Sequence, residues 1–104
     1  MLSYDKIILI TNEELHSKTD LEILNYLDKQ FTDINSDDMI KIVNYNTIYY
    51  EKILSELCDS YMRSLTNTRK RNKLETQIIQ YTFAVSRLKG IVKTIKILDN
   101  NREC

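Results

Sequence analysis

An all-α fold is what this sequence predicts: a helical bundle in which a long C-terminal helix folds back on its neighbour as an antiparallel helical hairpin. Three observations carry that prediction. The 104 residues contain no proline and a single glycine, Gly90, so the punctuation that β-hairpins and glycine-rich loops need is almost absent. Two Thr-x-x-Glu patterns near the N-terminus, Thr11 to Glu14 and Thr19 to Glu22, are signatures of helix starts. From Leu74 to Ile95 an apolar residue stands at every heptad point, as in a long helix with one buried stripe. A chain of this length makes one domain, residues 1–104, and can bury a core without metal or disulfide staples. With 42% apolar and 29% charged residues, disorder is not expected for most of it.

The elements follow in order. "SYDKIILIT" is short and β-branched, and over residues 4–10 periodicity does not separate a strand from the first turns of a buried helix; the reading leans to helix. At Thr11, Ile10 and Leu15 occupy the staple positions around the first capping box, so a helix starts there. At Thr19 the second box opens an amphipathic helix over 20–31, with Leu21, Leu24, Leu27 and Phe31 on one side. "TDINSDD" is rich in short polar side chains that compete for backbone hydrogen bonds, and a loop is expected there. From Met39 the apolar positions Val43, Thr47, Tyr50, Leu54, Leu57 and Tyr61 recur at spacings of four and three. They form the stripe of one helix, or of two broken near residues 44–46.

"TNT" at 66–68 ends that element and starts the next, and two long helices joined so tightly should pair antiparallel. In the last helix Leu74, Ile78, Tyr81, Val85, Leu88, Val92 and Ile95 fill the heptad points, and Ala84, Ile91 and Leu98 widen the stripe. At about 30 residues it spans about 45 Å, so part of it should project or meet a second chain. Gly90 inside it marks either a neutral surface position or a close helix approach. The expected organisation is therefore acidic helices over 1–36, a central helix or helices over 38–66, and a long basic helix over 68–99.

Charge is the most informative part of the composition. Residues 1–62 hold five Lys/Arg against twelve Asp/Glu, and residues 63–104 hold ten against three, within a net charge of zero. Either the two halves neutralise each other by packing, or the basic half meets an external polyanion. The run Arg69, Lys70, Arg71 and Lys73 opens a helix, where positive charge opposes the dipole at a cost of a few tenths of a kcal/mol per charge. An acidic segment of the chain, an acidic partner or a phosphate backbone would offset that cost, and these four residues are the candidate phosphate contacts. Downstream, Lys89, Lys93 and Lys96 follow at four and three and make a basic line on one helix face, with Arg87 near it.

Catalytic chemistry finds little support. His16 is the single histidine and the cysteines, Cys58 and Cys104, stand far apart, so no zinc-type spacing and no nucleophile–base pair is legible. The carboxylates of "NEE" and "SDD" fit helix N-termini, where dipole and unpaired N–H groups favour them. No catalytic residue, metal or cofactor is expected, and the protein is read as not an enzyme. Two cysteines are too few for a disulfide framework, and the apolar run Ile7 to Ile10 is too short for a signal or a membrane span. A soluble cytoplasmic protein in a reducing compartment, without a membrane, is the expectation.

Tyr45 and Tyr49 are the candidate partner-interface residues on the central helix, because Tyr50 lies on the apolar stripe and Tyr49 points about 100° away from it. The lysine line, Lys89, Lys93 and Lys96, is the matching candidate on the last helix. No aromatic interleaves with those lysines as a single-strand stacking platform would want. Asn and Gln do not gather with arginines on a short recognition helix either, so any nucleic-acid contact would be to the backbone and weakly specific.

"TIYYEKILSEL" followed by a long helix ending "SRLKGIVKTIKIL" resembles the α-helical domain of the GINS DNA-replication subunits, over roughly residues 40–98. That family has an aromatic-pair helix start with a charged residue after it, and later a long helix carrying Arg and Lys. The resemblance implies a non-catalytic subunit that assembles with related chains and helicase partners at the replication fork. The expected function is thus a helical protein–protein assembly subunit, self-associating or binding another chain. The alternative is a small nucleic-acid-associated protein whose basic C-terminal half contacts phosphates.

Overall fold

The structure, a computed structural model, describes residues 9–31 and 34–102. Four helices follow one another: α1 (Asn12–Ser17), α2 (Asp20–Gln30), α3 (Ser36–Arg63) and α4 (Thr68–Arg102). There is no strand among the described residues, and α3 packs along α4 as the expected hairpin. Most of the segment 4–10 lies outside the described residues; its last two, Leu9 and Ile10, are in neither helix nor strand.

Both capping boxes form as the sequence predicts. The Thr11 hydroxyl accepts from the Glu14 N–H at 3.1 Å and the Glu14 carboxylate accepts from the Thr11 N–H at 3.3 Å. Thr19 and Glu22 repeat the exchange at 3.2 Å in each direction. The Thr19 N–H, then its hydroxyl, hold the Glu22 carboxyl below the ordinary carboxylate range, because both donate to the charged form. The loop is shorter than "TDINSDD": Asn35 caps α3 by accepting from the Asp38 N–H at 2.8 Å, so Asp37 and Asp38 form the acidic first turn.

Nor does α3 break near residues 44–46. Asn46 Nδ2 donates to the Ile42 carbonyl at 2.9 Å and Thr47 Oγ1 to the Val43 carbonyl at 2.9 Å. The polar side chains that suggested an interruption fold back onto the helix that carries them. At the other end, Ser64 N–H donates to Tyr61 O, and Asn67 Oδ1 accepts from the Lys70 N–H at 3.1 Å to start α4. The whole reversal takes residues 64–67.

One core holds the chain together, and it sits at one end of the hairpin. Leu15 from α1, Ile23, Leu24 and Leu27 from α2, Ile42, Val43 and Tyr50 from α3, and Ala84, Val85, Leu88, Ile91 and Ile95 from α4 are buried in it. On α3 the buried core stops at Tyr50 and on α4 it starts at Ala84. Beyond those points the hairpin continues as a two-helix arm, in which Leu54, Leu57, Tyr61 and Ile78 are only half-buried and Leu74 is the one core-type side chain fully inside. Residues 51–63 of α3 alone extend about 20 Å. The molecule accordingly measures 56 × 28 × 19 Å with a radius of gyration of 16.2 Å, against about 13 Å for a compact chain of this size.

The N-terminal layer is fastened to the hairpin by polar clamps as well as by apolar burial. Ile10, 1% exposed, has both backbone groups held by one face of α3: its N–H donates to Asn46 Oδ1 at 2.7 Å and its carbonyl accepts from Tyr50 Oη at 2.5 Å. Residues 46 and 50 are one helical turn apart on the same face of α3, so both side chains reach this one backbone residue. Burial, with Tyr81 and Tyr49 beside it, pushes the Tyr50 phenol up to about 12.

Gly90 decides between its two readings. A Cβ built there meets nothing within 4 Å, so it is a glycine in open space and not a point of close helix approach.

Candidate functional site

An exposed apolar face lies on the outside of α3. Ile48 is 68% exposed, and Tyr45 and Tyr49, at three residues before and one after, are 46% and 42% exposed. Each step along a helix turns about 100°, so inserting Asn46, Thr47 and Tyr50 into the core forces 45, 48 and 49 outward together. The Tyr49 ring meets the Tyr50 ring edge-on at 5.6 Å, and Tyr50 is itself locked by its bond to Ile10. The exposed tyrosine is thus backed by a fixed one. That rigidity lowers the entropy lost when such a ring is covered.

Lys89, Lys93 and Lys96 are all exposed and form the expected line on α4. Arg87 does not join them. Two positions before Lys89, and so about 200° around the helix, it faces α1 and α2. Its guanidinium donates to the Leu15 carbonyl, to the Lys18 carbonyl at 3.0 Å and to Asp20 Oδ1 at 2.8 Å. Thr94 Oγ1 holds the other Asp20 oxygen at 2.9 Å. Arg87 is thereby a cap for the C-terminal carbonyls of α1. No hydrogen bond, ion pair or ring contact joins the tyrosine face to the lysine line among the described residues; the two are separate surfaces on different helices.

Arg69, Lys70 and Lys73 project, exposed, from the first turns of α4 at the far end of the arm. Arg71 differs from them: half-buried, it donates Nη1 to the Leu65 carbonyl at 3.1 Å and so helps close the turn. Arg63, exposed in the last turn of α3, stands on the other side of the same turn.

Two other places bear on chemistry. His16 is exposed, its Nδ1 lies 2.7 Å from the Asn12 carbonyl and its ring lies 4.5 Å from that of Phe83, an arrangement that packs the imidazole and brings no nucleophile to it. Among the described residues no three His, Cys, Asp or Glu side chains gather into a metal-sized group. A cleft of about 280 Å³ opens between α2, the start of α3 and the end of α4, lined by Leu21, Met39 and Leu98 with Asp28 and Asp99 at its polar side. Ser36 donates to Asp99 there at 3.0 Å. Nothing in the sequence pattern pointed to it, because its walls come from three helices. No helix among the described residues is long and apolar enough to cross a membrane. Compared with known proteins, the chain matches no family model, no curated protein and no solved structure.

Proposed function

We propose that this chain is a non-catalytic helical assembly subunit that binds protein, a second copy or another chain, through the outer face of α3. The observation that carries the reading is the triad Tyr45, Ile48 and Tyr49, exposed together on a helix whose opposite face is locked into the core. Covering an isoleucine side chain is worth about 1.5–3 kcal/mol, and tyrosines are enriched where interfaces concentrate their energy. The half-covered arm, with Met62 at 65% and Ile79 at 65% exposure, supplies further apolar surface along the same molecule. The resemblance to GINS helical domains would make the partners chains of a replication complex; that part of the proposal stands on the resemblance alone.

Light scattering at low and high salt tests it. A salt-resistant oligomer that Ile48→Glu together with Tyr49→Glu converts to monomer, with the helical circular dichroism unchanged, is the expected result. A monomer at both salts, or an oligomer that the double variant leaves intact, would count against this face. Charge reversal at Lys89, Lys93 and Lys96 in the same assay asks whether the separate lysine line contributes.

A further inference from the structure

Folding neutralises one end of this molecule and leaves the other end cationic. The acidic α1, α2 and first turn of α3 lie at the core end, and the same end receives the second half of α4 with Arg87, Lys89, Lys93 and Lys96. At the far end, residues 60–74 contain five cations, Arg63, Arg69, Lys70, Arg71 and Lys73, and no acid. Four of these five are exposed, and the single salt bridge among the described residues, Arg87 to Asp20, is at the opposite end. Asp59 and Glu75 border this stretch but make no salt bridge with it among the described residues, so no ion pair offsets the cost of setting four positive charges in the first turns of a 35-residue helix.

We infer that the tip of the α3–α4 hairpin is a contact site for the phosphate backbone of duplex nucleic acid. A duplex presents about one charge per 1.7 Å of axis, so a tip only two helices wide can meet several phosphates at once. Between the cations the turn displays the hydroxyls of Thr66 and Thr68, side chains of the type that contact phosphates, alongside arginine forks. Met62 and Leu65 are exposed beside the cations, at 65% and 50%, but residues 66–73 include no apolar side chain, so the tip does not present the continuous apolar face that an interfacial segment inserts into an anionic membrane. They include no aromatic either, which disfavours stacked single strands. Recognition is by charge and carries no base preference. The inference is independent of the tyrosine face that carries the assembly reading, which lies in the middle of α3.

Fluorescence anisotropy of the full chain with a mixed-sequence DNA duplex of about two helical turns, titrated at several salt concentrations, provides the test. Four to five phosphate contacts predict a log–log slope near −4, a loss of roughly 100- to 500-fold in affinity between 50 and 200 mM salt. The variant Arg63→Gln, Arg69→Gln, Lys70→Gln, Lys73→Gln removes only exposed side chains; it should keep its helical circular dichroism and its solution mass and reduce the slope to about −1 or less. Lys29→Gln with Lys41→Gln, at the core end, should leave the slope unchanged. Absence of binding at 50 mM salt, an unchanged slope in the tip variant, or tip-dependent binding to phosphatidylserine vesicles but not to the duplex would each overturn the assignment.

Discussion

Arg87→Met tests how the N-terminal layer is fastened. Methionine keeps most of the aliphatic stem and its packing but deletes the guanidinium, which donates to the Leu15 carbonyl, the Lys18 carbonyl and Asp20. Hydrogen bonds from a charged donor contribute about 1.5–3 kcal/mol each. The Arg87 and Asp20 side chains are 21% and 33% exposed, so water replaces part of what is lost and the ion pair itself contributes about 1 kcal/mol or less. The expected net cost is about 2–3 kcal/mol, or roughly 10–20 °C in Tm for a chain of this length. The loss should be local first. At six residues, α1 is far below the length that stays helical unaided, so hydrogen exchange at residues 12–18 should accelerate before that of α3 and α4. Urea unfolding followed by circular dichroism measures the global term, and Asp20→Asn closes a double-mutant cycle with an expected coupling of about 1 kcal/mol. A cost under about 0.5 kcal/mol, or unchanged exchange in α1, would show that apolar burial alone holds the layer.

The remaining predictions are more local. Gly90→Ala should stabilise the protein by about 0.5–1 kcal/mol, because the new methyl enters open space in mid-helix; a loss in thermal unfolding would mean that space is filled. Leu88→Ala, at a fully buried position, should cost about 2–5 kcal/mol, and Leu88→Asp should leave no folded protein at all by circular dichroism. Tyr50→Phe leaves the Ile10 carbonyl without its donor and should cost about 1–2 kcal/mol at neutral pH. The folded phenol titrates at about 12 and the unfolded one near 10, so the stabilisation is complete below pH 10 and is lost as pH rises toward 12. The wild type should therefore lose more stability than Tyr50→Phe across that window, and parallel urea midpoints in the two proteins would contradict it.

Much of this architecture is readable from residues within four positions of one another. Both capping boxes, the acidic first turns of α1 and α3 and the outward direction of Tyr45 and Tyr49 depend only on helix geometry and neighbouring side chains. The heptad stripe of α4 is likewise local, and its buried members Leu74, Val85, Leu88 and Ile95 are where the spacing puts them. The choice between one helix and two broken near residues 44–46 stayed open in the sequence for a related reason. Asparagine and threonine are written the same way whether they break a helix or bond back to the carbonyl four residues earlier, as Asn46 and Thr47 do.

Sequence alone was sufficient for the helical class, the hairpin and the uneven charge along the chain, since each follows from propensity, period and composition. Only the tertiary structure decided which end of the hairpin is covered, and with it which cations are neutralised and which stand alone at the tip. It also decided the fate of Arg87 and of Ile10, whose partners lie 36 to 72 residues away in the chain. Contacts at that separation form when two helices and an extended segment converge on one core, and no local pattern encodes which side chains will meet there.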